Sequence, residues 1–215
     1  IRFMQLEQES WNMTQNNVFI ENIRNTKHNE DILDNILEMK DCGFKYQRFN
    51  VGLSQKGKND LAERLFYKPT LGNMENEQDI PILIGKEINS FYHSLSPQKC
   101  LRYNYETLLK SNETTYYNKK IMDEPIKLIW RQTAPYFIGT ILSNRMFFGN
   151  TIQAGIIKDK YKGVITYEYL CGLLNSQYLR NIYEQNVKEG GRVFPQVTLE
   201  KLKPLPIVIP TPEER

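Results

Sequence analysis

Hydrophobic positions along this chain come in short blocks whose spacing changes from one block to the next. Ile32, Leu33, Ile36, Leu37 and Met39 fall at the spacing of a helix face. Glu30 and Asp31 stand near its start and Lys40 near its end, as the helix dipole favours, so a helix is predicted there with Gly43 as its stop. Phe44, Tyr46 and Phe49 among polar residues predict a strand over Phe44 to Val51, running into a loop, Gly52-Leu-Ser-Gln-Lys-Gly-Lys-Asn59. Ile80-Pro-Ile-Leu-Ile predicts another strand, followed by a short helical turn from Gly85 through Ile88. Further strands are expected at Leu101 to Asn104, Lys127 to Arg131, Phe137 to Leu142 and Met146 to Ile157, with Lys110 to Lys120 as the most loop-like interior stretch.

The last quarter changes period. Leu170, Leu174, Tyr178 and Ile182 make one helical stripe, which marks core support rather than contact surface. Thr198 is placed to cap a helical turn over Leu199-Glu-Lys-Leu, and Pro206 and Pro210 bracket a short strand, Ile207 to Ile209, suited to a sheet edge. Thr211-Pro-Glu-Glu-Arg reads as the start of one more helix. Strands first and helix later, without βαβ alternation, predict an α/β fold of the α+β type: a mixed, largely antiparallel curved sheet with packing helices. The expected organisation is one domain over residues 1–210, its first 43 residues an arm and helix, with residues 211–215 opening a helix that is cut short. Because the first residue is Ile1, the chain is read as part of a longer protein.

Composition narrows the function classes. At 215 residues, with 40% hydrophobic and 25% charged, the chain can bury a proper core. No apolar run approaches the roughly 20 residues of a bilayer span and no signal peptide opens the sequence, so a cytoplasmic location is expected. The net charge of +3 is only mildly basic. Cys42, Cys100 and Cys171 are widely spaced, with no CxxC pair, and the histidines are His28 and His93 alone, so neither a zinc site nor a disulfide framework is indicated.

Catalytic motifs are incomplete. Gly52 to Asn59 nearly matches the phosphate-cradling GxxxxGK[ST] loop, but Asn59 stands where Ser or Thr must hold Mg²⁺, and Asp60 adds a negative charge. A basic loop meeting nucleic-acid phosphates is the better reading, with a plain surface turn beside it. Glu38-Met39-Lys40, with Asp31 and Asp34 upstream, offers half of a metal-dependent nuclease site; on one amphipathic helix these residues read as a solvated face. No Ser, His and Asp set invites a triad, and neither a methyl-donor loop nor a polar-Pro-Pro-aromatic motif is present. What remains are residue types that meet nucleic acid: Lys56, Lys58, Lys86, Arg102, Arg131 and Arg192, mixed with Asn59, Asn104, Tyr105, Tyr116, Tyr117 and Gln132.

Several motifs in order resemble the target-recognition domains of bacterial restriction-modification systems. They are Phe49-Asn-Val-Gly52-Leu with Gly57-Lys58-Asn59, Ile84-Gly85-Lys86-Glu-Ile88, Lys127-Leu-Ile-Trp-Arg131-Gln132-Thr133, Tyr169-Leu-Cys-Gly-Leu-Leu-Asn175-Ser176, Gly191-Arg-Val-Phe194-Pro195-Gln196 and Leu199-Glu-Lys-Leu-Lys-Pro-Leu205-Pro206. The early Trp11 also fits. The likeness is to the TaqI-like C-terminal specificity domain of type IIG enzymes, related to type I specificity subunits. It implies a domain that clamps double-stranded DNA and presents a target adenine to a separate methyltransferase domain or subunit, which flips the base out. S-adenosylmethionine, and Mg²⁺ if the parent cleaves DNA, would serve the parent protein, while this chain is expected to be non-catalytic and to bind neither metal nor methyl donor. The DNA contacts expected are Lys56, Lys58, Asn59 and Lys86, then Arg131, Gln132 and Arg192, with bracing of the loops as the alternative role for the strand-borne ones. The alternatives are a protein-interaction domain that docks a partner methyltransferase without touching bases, and a nucleotide-binding enzyme using Gly52 to Asn59.

Overall fold

Lys127-Leu-Ile-Trp-Arg131 forms a strand buried on both faces, which is why its sequence is a near-continuous apolar run rather than an alternation. The computed structural model describes residues 29–41, 43–49, 55–70, 73–96, 98–186 and 195–212, with residues 55–59 described by their backbone alone. In chain order the elements are β1 (Asn29–Ile32), α1 (Leu33–Ile36), β2 (Leu37–Lys40), β3 (Lys45–Arg48), α2 (Gln55–Leu65), β4 (Phe66–Tyr67), β5 (Ile80–Leu83), β6 (Ile88–Asn89), β7 (Tyr92–His93), β8 (Cys100–Leu101), β9 (Glu113–Tyr116), α3 (Lys119–Met122), β10 (Lys127–Arg131), β11 (Gly139–Leu142), β12 (Phe147–Phe148), β13 (Ile152–Ile157), α4 (Tyr167–Leu174), α5 (Gln177–Asn186), α6 (Leu199–Leu202) and β14 (Pro206–Ile209).

The central sheet runs β11-β10-β13-β2, antiparallel throughout. Its two faces feed two cores. Ile129, Ala154 and Ile156 point into a core shared with Leu61 and Leu65 of α2 and with the sheet β12-β5-β8-β4, in which β12 and β5 are parallel. Leu128, Trp130 and Ile157 point the other way, against Leu170 and Leu174 of α4, Leu179 and Tyr183 of α5 and Leu202 of α6. Burying each such aliphatic side chain contributes about 1.5–3 kcal/mol, so the sheet is pinned from both sides. The Trp130 indole donates to Gln153 Oε1 at 3.0 Å, which satisfies the polar edge of an otherwise apolar ring inside the fold. Two-stranded ribbons β1–β14, β3–β9 and β6–β7 complete an α+β architecture that is mixed but mostly antiparallel, as the sequence predicts. Among the described residues, no helix is long and apolar enough to cross a membrane.

Several sequence expectations need correction. The helix expected over Ile32 to Met39 is a single turn, α1, between two strands. Leu33, Ile36 and Leu37 satisfy helical spacing for one turn only, whereas Leu37 and Met39 alternate with Glu38 and Lys40, and pairing with β13 decides for strand. Glu38, Asp31 and Asp34 therefore do not share a helix face. Glu38 pairs with Lys120, Asp34 with Lys203, and Asp31 accepts hydrogen bonds from Tyr161 and Asn35. Gly43 does not stop a helix. A Cβ there would lie 2.4 Å from the Gly149 carbonyl oxygen, so the residue serves close backbone approach.

Lys110 to Lys120, expected as loop, contains β9 and the start of α3. The strand expected over Leu101 to Asn104 ends at Leu101 and gives way to a 3-10 turn over Tyr105–Leu108. The stripe from Leu170 to Ile182 spans two helices rather than one. Asn175 Nδ2 donates to Cys171 O at 2.8 Å and to Gly139 O at 3.0 Å, and Ser176 Oγ accepts from Leu179 N at 3.3 Å, which ends α4 and restarts the chain as α5. Thr198 occupies the cap position of α6 but makes no capping bond; its hydroxyl is buried without a partner. β14 pairs with β1 alone, so its edge placement holds. The N-terminal arm with Trp11, the glycine turn at Gly190-Gly191 and the helix expected from Thr211 onward past Pro212 lie outside the described residues.

Candidate nucleic-acid interface

Lys86 sits in the 3-10 turn Gly85–Glu87 that connects β5 to β6, with its side chain exposed. Glu87, beside it, is buried and turned inward: its carboxylate accepts from Ile84 N at 2.8 Å and from Gln98 N at 3.0 Å. This carboxylate closes the turn on itself and leaves Lys86 as the charge the turn presents to solvent.

Arg131 ends β10 directly beneath. Its Nε donates to Ile88 O at 2.5 Å and its Nη2 to Asn89 Oδ1 at 3.1 Å, so the guanidinium props the β6–β7 ribbon. Bracing, the alternative left open for strand-borne residues, is what its geometry performs. Gln132 follows, half-buried, with its backbone N–H on Thr151 O at 2.9 Å and its carbonyl accepting from Val197 N at 2.8 Å. Thr133 bridges to Gln196. Ile84, Gly85, Lys86, Arg131, Thr133 and Thr151 line a concavity of about 350 Å³. The fold thus brings Lys86 and Arg131 to one place although 45 residues separate them in sequence, while Gln132, between Arg131 and Thr133, does not line the concavity.

Lys56, Lys58 and Asn59 are placed elsewhere. Their backbone lies in α2, which starts at Gln55 and packs on β4 and the Tyr105–Leu108 turn; their side chains lie outside the description. The loop expected over Gly52 to Asn59 is corrected accordingly, since the helix opens before Gly57-Lys58 rather than after it. Leu61 and Leu65 bury the inner face of α2 and carry the helical period back through a glycine. The helix takes in Gln55 and Lys56, which the near-match to the phosphate loop would keep in a turn, while Gly52 to Ser54 lie outside the described residues.

Asp60, which would have repelled phosphates, is neutralised: its carboxylate lies 2.7 Å from Arg48 Nη2 and 3.7 Å from Lys110 Nζ, and the hydrogen bond from Arg48 is the chief reason its pKa is lowered. Arg192 lies outside the described residues. Other expected contact residues turn inward or pair off. Tyr105 is buried, Tyr117 packs beside it against Phe44, and Arg102 pairs with Glu75 at 2.6 Å. Tyr116 stays exposed, with Lys45 over its ring.

Sequence reasoning missed the tip of the β6–β7 ribbon. Phe91 and Tyr92 are each 62% exposed, and Phe91 has φ of 73°, in the left-handed region. The available signal was Asn89-Ser90, turn-forming residues followed by two aromatics whose neighbours at the strand period, Asn89, His93, Ser90 and Ser94, are all polar. Among the described residues, no group of three or more His, Cys, Asp and Glu could hold a metal ion.

Residues 80–207 match the TaqI-like C-terminal specificity domain family. The chain is also 34% identical over 119 residues to a Methanocaldococcus jannaschii protein named "Putative type II restriction enzyme and methyltransferase"; the match covers 50% of this chain and 10% of that protein, so the chain spans only a small part of its relative. The family match takes in Lys86, Arg131, Gln132, the aromatic ribbon and the helices that back them, which is more than half of the sequence, and the chain therefore belongs to the TaqI-like C-terminal specificity domains.

Proposed function

We propose that this chain recognises a short sequence in double-stranded DNA for a restriction-modification enzyme, and positions the target adenine for an S-adenosylmethionine-dependent methyltransferase domain that lies outside it. The observation that carries the reading is the family match across the surface where Lys86 and Arg131 converge. An exposed ammonium beside a concavity with threonine hydroxyls is suited to a backbone phosphate, while an amide such as that of Gln132 can read an adenine edge. Arg131 contributes by holding the ribbon in place. Lys56, Lys58 and Asn59 on α2, and Arg192, are proposed as further DNA contacts. The methyl donor would be held by the methyltransferase part, and the whole would act in the cytoplasm on the cell's own DNA.

The test is a titration of the intact protein with a random-sequence duplex at about 50 and about 200 mM salt. Affinity should fall steeply with salt, and Lys86→Glu should weaken binding to all sequences and lower the salt slope by about 1. Equally weak binding at both salt concentrations would overturn the reading and favour a domain that only docks a methyltransferase.

A further inference from the structure

The β6–β7 ribbon is a two-residue hairpin in which Ile88 pairs with His93 and Asn89 with Tyr92, leaving Ser90 and Phe91 as the loop. A left-handed backbone at the second loop position is normally given to Gly or Asn, because a Cβ is strained there. Here it carries a phenylalanine, whose Cβ makes that backbone strained. The surroundings hold that conformation firmly. Phe91 N donates to Gly139 O at 3.0 Å, Ser94 N donates to Glu87 O at 2.9 Å, and Arg131 bonds both residues of β6. Everything beneath the tip is tied to the central sheet, yet the ring packs on nothing that buries it: Phe91 and Tyr92 are each 62% exposed and Leu95 is 77% exposed. A strained, braced, outward-facing aromatic is poor design for stability alone, so a binding role accounts for it best.

Two observations favour nucleic acid as the occupant. The hairpin rises from a basic base, with Lys86 exposed on one side and the Arg131 guanidinium beneath. Its apolar residues are confined to positions 91–95, too small a patch for a protein interface, which needs about 800 Å² per partner. An apolar side chain on a narrow tip, flanked by cations, is instead the form of the wedges that enter a groove and part a base step. We infer that Phe91 is such a wedge: it inserts at one base step of the bound duplex and kinks it, with Lys86 on the neighbouring phosphate. This rests on the reading of the chain as a duplex-DNA recognition domain. It adds a source of specificity that needs no hydrogen bond, since pyrimidine–purine steps part most easily.

The test uses duplexes enriched from a random library by the intact protein, labelled at both ends so that bending is read by energy transfer. Wild type should bend them. Phe91→Asn keeps a residue that accepts left-handed backbone but removes the wedge, and should lose the bend and bind about tenfold more weakly with an unchanged salt slope. Phe91→Leu should retain the bend. If no duplex is enriched, the recognition reading fails and takes the wedge with it. If duplexes are enriched but Phe91→Asn bends them as wild type does, the wedge alone is overturned. The same holds if Phe91→Asn leaves bending intact and instead weakens association with the rest of the protein, which would make the tip a docking surface.

Discussion

Arg64 Nη2 lies 2.6 Å from Glu113 Oε1 and 2.8 Å from Oε2, joining the last turn of α2 to the first residue of β9. Arg48, the cross-strand partner of Glu113 on β3, adds its Nε at 2.8 Å, and the backbone N–H of Lys110 donates at 2.9 Å. The carboxylate side chain is wholly buried, so the arrangement works only as a set: three donors making four hydrogen bonds around one charge. It fixes the helix whose opening turns carry Lys56 and Lys58 to the β3–β9 ribbon.

Burial by itself raises the pKa of Glu113, but the hydrogen bonds from Arg64, Lys110 N and Arg48 outweigh it and hold the carboxyl at about 2, against an ordinary value of 4.5. A group whose folded pKa is depressed stabilises the fold above its unfolded value and loses that contribution as pH falls toward the folded one. Stability should therefore drop as pH falls from 4.5 toward about 2. Glu113→Gln should flatten that part of the profile while costing about 3 kcal/mol at neutral pH, because two arginines lose their counter-charge. Urea denaturation of both proteins across the pH series is the measurement.

Arg131→Lys should loosen the β6–β7 ribbon without unfolding the sheet. Lysine keeps the charge but loses the fork that reaches Ile88 O and Asn89 Oδ1 together. Hydrogen exchange of the Phe91 amide, bonded to Gly139 O, should accelerate roughly tenfold, corresponding to about 1.4 kcal/mol of local opening, while amides of β10 and β13 stay protected. Equal acceleration across the sheet would show that Arg131 supports the core rather than the ribbon.

Gln153→Leu leaves the Trp130 indole N–H buried with its partner gone. The expected loss is about 1–3 kcal/mol, read from the shift in denaturation midpoint and accompanied by a change in the emission of Trp130.

Thr198→Val should be neutral or stabilising by up to about 1 kcal/mol, the opposite of the usual result at a cap position. The Thr198 hydroxyl is buried without a partner, so removing it relieves a desolvated polar group and breaks no bond. A lower midpoint in the valine variant would reveal a capping role after all.

Two of the family motifs were legible because each has a packing or backbone reason that is local. Asn175-Ser176 ends one helix and begins another through its own side chains, and Ile84-Gly85-Lys86 turns tightly because Glu87 caps it from three residues away. The strands around Ile80, Lys127 and Ile152 were legible because both their faces are apolar. Where one short block satisfied two periods, sequence alone had no way to choose. Leu33 to Met39 fits a helix and a strand equally until β13 supplies hydrogen-bond partners, and Gly57 hid a helix whose reason for forming, the burial of Leu61 and Leu65, lies downstream.

By itself the sequence determined the family, the α+β class and the apolar blocks that make the two cores, since these follow from residue type and near-neighbour spacing. Only the tertiary structure decided which charged residues share a surface. Lys86 and Arg131 meet because β5 and β10 bring their ends together, and Phe91 stands clear of the core because Gly139 and Arg131 hold its hairpin upright. Those relations depend on contacts between distant segments, and a linear pattern of hydrophobicity carries no record of them.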